Sequence, residues 1–104
     1  MKLQNIIKAI QTSQVRISDH AREEAKADSF LLNEIFFSVY NGEIIEDYPG
    51  DKPYPSCLIY GSTESGKFVH SVWAYNSEIQ KAVLITVYEP DPKRWIDLKK
   101  RKTA

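Results

Sequence analysis

Hydrophobic periodicity changes once along this 104-residue chain, at Asn41-Gly42, and that change limits the fold more than any other feature. Before it, apolar side chains recur at helical spacing. Leu3, Ile6, Ile7 and Ile10 fall at i, i+3, i+4 and i+7, and Leu31, Leu32, Ile35, Phe36 and Val39 form a second stripe. Between them His20 to Ala27 is rich in Ala and Glu and reads as a further helix, capped by Ser18 or Asp19. Asp28-Ser29 interrupts that helix and offers the next cap, and Gly42 offers an αL stop to the helix before it. Val15-Arg16-Ile17 is short and extended enough for an edge strand.

After Gly42 the pattern is that of strands: Glu43 to Tyr48, Ser56 to Gly61, Lys67 to Tyr75 and Lys81 to Glu89. Turn-forming residues separate them, at Pro49-Gly50-Asp51-Lys52-Pro53, Thr63-Glu64-Ser65-Gly66 and Asn76 to Gln80. In the last strand strict alternation sets Val83, Ile85 and Val87 on one face and Ala82, Leu84, Thr86 and Tyr88 on the other. Pro90 and Pro92 end it, and Pro92 is placed to open a last helix through Leu98 and Lys99. Connections this short imply an antiparallel meander. The expected fold is therefore α+β: N-terminal helices packed on a four-stranded antiparallel sheet with a short C-terminal helix. It forms one domain over 1–104, helical over 1–42, sheet over 43–89, and a basic helix or tail over 90–104. Helices on one face leave the other face open, and a site is expected there.

Composition narrows the chemistry. The single cysteine, Cys57, cannot form an internal disulfide, and no Cys/His group has zinc spacing, so neither a metal nor a cofactor is expected. Residues 1–10 carry lysines and short apolar runs, not a signal peptide or the roughly 20 apolar residues of a membrane span, so the chain reads as cytoplasmic with no membrane role. Glycine-rich phosphate loops, a nucleophile elbow and a helix-borne histidine pair are all missing. The zero net charge hides an asymmetry. Residues 91–104 hold six Lys/Arg against two Asp, a net +4, and residues 1–90 hold eight Lys/Arg against twelve Asp/Glu, a net −4. A basic tail on an acidic body suits a contact with phosphate or with an acidic partner, or else a solvated terminal helix.

The candidates for chemistry are few. His20, at a helix start, and His70, in a strand, are the only histidines. Each can act as general acid or base, and each can equally be a bonded structural histidine. Glu46 and Asp47 end a strand but point to opposite faces, so they do not act as a pair. The stretch from Thr86 to Trp95 is the richest: Tyr88 can donate a proton or stack on a base, Arg94 can hold phosphate through two nitrogens, and Trp95 anchors the last segment.

Four segments carry a family resemblance: Ser18-Asp19-His20-Ala21-Arg22-Glu23; Gly42-Glu43-Ile44-Ile45-Glu46-Asp47-Tyr48-Pro49; Pro55-Ser56-Cys57-Leu58-Ile59 with Lys67-Phe68-Val69-His70-Ser71-Val72; and Ile85-Thr86-Val87-Tyr88-Glu89-Pro90 with Lys93-Arg94-Trp95. In this order they resemble the domain-of-unknown-function family numbered 4258, which is similar to small toxins of the RelE/ParE type. The chain departs from the family pattern over 25–28, where members often keep an arginine. The resemblance implies a RelE-like arrangement, a metal-independent endoribonuclease of a type II toxin–antitoxin pair, and a small zinc-finger antitoxin as partner. It implies His20, Glu46, His70 and Tyr88 as catalytic groups, with Tyr48 and Arg94 on the RNA, and the tail residues Lys99, Lys100 and Arg101 join them as phosphate contacts. Two other classes fit the same residues: a non-catalytic protein-binding module, and an RNA-binding domain that stacks bases on Trp73, Tyr75 and Tyr88 without cutting.

Overall fold

The computed structural model describes residues 1–103. Three helices come first, α1 (Leu3–Gln11), α2 (Asp19–Ala27) and α3 (Leu32–Tyr40), with the short strand β1 (Val15–Ile17) between α1 and α2. Four longer strands follow: β2 (Glu43–Tyr48), β3 (Ser56–Ser62), β4 (Phe68–Asn76) and β5 (Lys81–Tyr88). The chain ends in two two-residue strands, β6 (Trp95–Ile96) and β7 (Lys100–Arg101).

The main sheet has five strands in the order β1-β5-β4-β3-β2. β2 to β5 are the antiparallel meander that short turns dictate, but β1 pairs in parallel with β5, Val15 opposite Ala82 and Ile17 opposite Leu84. The sheet is therefore mixed, not the four-stranded antiparallel sheet expected. The crossover from β1 back to β5 passes through everything between them, so no local signal marks it. β1 covers only three residues of β5. Beyond it α2 takes over the edge: Glu24 accepts from the Val87 N–H at 3.2 Å and from the Thr86 hydroxyl, and Asp28 accepts from the Glu89 N–H at 2.8 Å. These carboxylates close a strand edge that would otherwise offer unpaired donors. Asp28 thus serves β5 and not the start of α3, where Glu34 accepts from the Leu31 N–H at 2.8 Å.

One face of the sheet packs under the helices. Ile6, Ala21, Ile35 and Val39 meet Cys57, Ile59, Val69, Trp73, Leu84 and Val87. Leu84 and Val87 share this face although they are an odd number of residues apart, because the register of β5 shifts: Thr86 opposes Val72 and Leu84 opposes Trp73, which leaves Ile85 as a bulge. The alternation expected for this strand is thus broken at Ile85. The bulge's carbonyl is satisfied by Ser18, whose hydroxyl also accepts from the Ala21 N–H as the α2 cap. Gly42 does not adopt an αL conformation. Gly66 is the only glycine with positive φ among the described residues. Gly42 and Gly61 are instead points of close approach: a Cβ on Gly61 would lie 1.9 Å from the Ser38 carbonyl oxygen, and one on Gly42 2.7 Å from the same atom. Their bareness lets α3 lie directly on β3.

The other face is not open. Leu58 and Trp95 are buried but stand outside the helix-facing core. They are covered because the C-terminal segment crosses this face as a strap, with Trp95 opposite Arg101 and Ile96 opposite Lys100. The last helix expected from Pro92 does not form. Asp91 accepts from the Lys93 N–H through its side chain and from the Arg94 N–H through its carbonyl, which makes a turn, and Asp97 and Leu98 take positive φ values of 52° and 61°. A lone helix this short is marginal, whereas laying Trp95 on the sheet buries its large ring (5% exposed). Among the described residues, no helix is long and apolar enough to cross a membrane.

Candidate functional site

The strap and the sheet face beneath it gather most of the polar residues singled out in the sequence. Strand register does the first part. His70 on β4 stands between Tyr60 on β3 and Tyr88 on β5. Its ring meets Tyr60 at 5.9 Å, Tyr88 at 5.2 Å and, from the strap, Trp95 at 4.5 Å, all edge to face. The imidazole is wholly buried.

Both ring nitrogens are engaged. Nε2 lies 2.6 Å from the Leu98 carbonyl oxygen and Nδ1 lies 3.2 Å from the Tyr88 hydroxyl. A carbonyl only accepts, so Nε2 carries the hydrogen. In the neutral ring Nδ1 then accepts, and the Tyr88 hydroxyl donates to it. Burial pulls the imidazole below its ordinary pKa of 6.5, and the Leu98 bond only partly offsets this. Burial also pushes the Tyr88 phenol up. The pair is thus neutral at pH 7, with one shared hydrogen bond along which a proton can move.

A second group lies beside it. Glu46 accepts from Tyr48 Oη and from Arg101 Nε, the latter at 2.9 and 3.2 Å to its two oxygens. Burial pushes the Glu46 carboxyl up, but the Tyr48 and Arg101 hydrogen bonds outweigh it and hold the group below the ordinary carboxylate range. Burial and then the Glu46 bond push the Tyr48 phenol up. The Arg101 guanidinium sits 4.7 Å over the Trp95 ring. Glu46 is therefore an ionised anchor for Arg101, not a proton donor at neutral pH.

A cleft of about 690 Å³ opens beside these groups. Tyr88, Trp95, Arg94 and Arg101 line it, with Lys93 and Lys102 and the two acidic residues Glu89 and Asp91. Among the described residues, no carboxylate oxygen lies within 4.0 Å of a charged nitrogen of Lys93, Arg94 or Lys102. With four cations against two carboxylates, three of those cations in no ion pair among the described residues, and Tyr88 and Trp95 on its wall, the cleft suits a phosphate-bearing ligand.

His20 is not brought in. It stands on the first turn of α2, 69% exposed, with Nε2 3.1 Å from Glu24. Lys99 pairs with Glu43 at 2.7 Å and lies over the Tyr60 ring, and Lys100 is exposed. Cys57 is no nucleophile: burial, and then the nearby Asp47 charge, pushes its thiol up to about 12. Among the described residues, no three His, Cys, Asp or Glu side chains gather as metal ligands. Sequence reading missed the Leu98 carbonyl and Tyr60, and took Lys93 and Lys102 only as part of the basic tail. The basic run at 99–102 pointed toward the last of these; a backbone carbonyl carries no sequence signal at all.

No curated protein and no solved structure matches the chain. The model of the family described as Domain of unknown function (DUF4258) matches residues 17–89, which hold both members of the His70–Tyr88 pair, and the chain belongs to that family.

Proposed function

We propose that this chain is an endoribonuclease that cuts single-stranded RNA by 2′-hydroxyl attack without a metal, and that it serves as the toxin of a type II toxin–antitoxin pair. The observation that carries the cleavage reading is the Tyr88 hydroxyl, bonded to His70 Nδ1 and lining a cleft with Arg94 and Arg101. The ribose 2′-oxygen attacks the adjacent phosphorus as its proton passes to Tyr88 Oη, while the phenol's own proton passes to Nδ1. The same relay, reversed, protonates the departing 5′-oxygen and leaves a 2′,3′-cyclic phosphate. Arg94 and Arg101 face the charge that builds on the phosphate. In the free protein Glu46 and Tyr48 hold Arg101 at the cleft, and they take no proton. His20 has no part in the scheme. The toxin role rests on the resemblance of the four sequence segments to small toxins of the RelE/ParE type, and it calls for a neutralising partner, a small zinc-finger antitoxin.

The test compares cells expressing wild type with cells expressing His70→Asn/Tyr88→Phe at equal soluble level, with purified proteins incubated with RNA. Growth arrest and fragments ending in cyclic phosphate are expected of wild type, and a loss of about 10²-fold or more of the cutting rate is expected of the double variant. Intact RNA with undiminished binding would favour the second reading, an RNA-binding module without cleavage. What favours that reading is the burial of His70 with both nitrogens occupied.

A further inference from the structure

The strap that covers His70 turns through two left-handed residues and is tied down past Trp95 by exposed ion pairs. Its turn is closed by the Lys99 N–H donating to the Ile96 carbonyl at 3.0 Å, with Asp97 and Leu98 both at positive φ. Asn-Gly is the natural pair for such a turn, and a leucine there pays the left-handed steric penalty. The carbonyl of that strained leucine is the group bonded to His70 Nε2. Past Trp95, two ion pairs tie the strap to the acidic edge strand β2: Lys99 to Glu43 at 2.7 Å and Arg101 to Glu46 at 2.9 Å. The lysine and arginine side chains are half or more exposed, so these are the kind of pair that salt and competing anions weaken. They belong to a run of four consecutive cations, Lys99 to Lys102. The strap also lies outside the family match, which ends at residue 89.

We propose that the strap is an autoinhibitory cover over His70, and that a single-stranded polyanion opens it by drawing Lys99 and Arg101 off Glu43 and Glu46. The proposal rests on the RNA-cleaving reading for the identity of the polyanion. With the strap closed, the imidazole is walled in by Trp95, Tyr60 and Tyr88 and is a poor proton acceptor. With it open, water reaches the ring and the backbone strain at Leu98 is released. Substrate binding and activation of the base are then one event, which keeps the relay idle in the absence of RNA.

The chain's two histidines make the test simple, since His20 is an exposed internal reference. Diethyl pyrocarbonate modification is followed site by site at fixed pH. In wild type His20 reacts fast and His70 slowly. A 2′-O-methyl oligouridylate, which binds but lacks the attacking hydroxyl, raises the His70 rate relative to His20 roughly tenfold. Glu43→Lys, which turns the Lys99 attraction into repulsion, raises it about fivefold with no oligonucleotide present. Asp97→Gly relaxes the turn without removing a buried contact and lowers it by about threefold. If saturating oligonucleotide and Glu43→Lys both leave the ratio unchanged, the cover proposal is overturned. RNA cleavage measured on the same proteins separates the two ideas. A reactive His70 with intact RNA upholds the cover and refutes cleavage. Full cleavage with an unreactive His70 and no gain in Glu43→Lys refutes the cover and upholds cleavage.

Discussion

If the cleft beside Tyr88 holds phosphates, the salt dependence of binding is fixed by how many of its cations lack a partner. Five basic residues lie in or beside it, but they do not count equally. Arg101 is bonded to Glu46 and Lys99 to Glu43, so each would exchange one anion for another on binding RNA and release few counterions. Lys93, Arg94 and Lys102 have no carboxylate partner among the described residues and line the cleft directly. For a single strand each neutralised phosphate contributes about −0.7 to the slope of log affinity against log salt, so three give about −2.1. Between 50 and 200 mM salt the affinity should fall by roughly 18-fold. Arg94→Gln should flatten the slope to about −1.4 and the fall to roughly sevenfold. Fluorescence anisotropy of a labelled 2′-O-methyl oligouridylate measures both. A wild-type slope no steeper than about −0.7, or an Arg94→Gln slope equal to wild type, would refute the counting and with it the assignment of this cleft to phosphate.

Two further outcomes follow from the scaffold. Gly61→Ala should cost about 1–3 kcal/mol or more, because its Cβ would stand 1.9 Å from a backbone oxygen of α3 that no rotamer can move aside, while Gly50→Ala, with open space around it, should be neutral or stabilising; equal urea midpoints for the two would contradict this. Stability should also decline on acidification. The unfolded chain binds a proton at His70 near pH 6.5 while the folded chain resists it, so that contribution is complete above about 6.5 and is lost as pH falls below it; the paired Glu46 adds a loss that begins below about 4.5. His70→Asn should flatten the melting-temperature profile between pH 6.5 and 5, and an unchanged profile would rule out buried neutral His70 as its source.

Much of the fold can be read from periodicity because helices and short-turn strands are local events. The stripes at Leu3–Ile10 and Leu31–Val39 and the four strands after Gly42 stand where spacing puts them. What escaped reading depends on distant partners. Val15–Ile17 is legible as an edge strand, but its parallel pairing with Ala82–Leu84 is not, and neither is the bulge at Ile85, where α2 and Ser18 meet β5. The C-terminal segment carries an honest helix-start signal at Pro92, but the apolar surface it can bury lies on the sheet, and tertiary burial outweighs local preference in so short a stretch. The site divides the same way. Tyr88 and His70 are recognisable as candidates singly. Their meeting depends on the β4–β5 register, and Arg101 reaches Glu46 only because the chain turns back instead of coiling into a helix.

That division has a consequence for how the site works. His70, Tyr88, Glu46 and Tyr48 all fall within residues 17–89, whereas Arg94, Trp95, the Leu98 carbonyl and Arg101 all come from the segment after it. The proton-bearing pair is built into the sheet, where backbone hydrogen bonds on both sides of β4 fix it. The cations and the cover ride on a segment held by two exposed ion pairs, one ring and one carbonyl. The rigid part can therefore keep its geometry while the other part moves, and a charged ligand acts on the part that is cheapest to move. An active cation on the mobile element also means that the strap cannot simply leave: Arg101 must exchange Glu46 for a phosphate while Trp95 stays seated. The hinge of such a motion falls between Trp95 and Leu98, where the two left-handed residues begin.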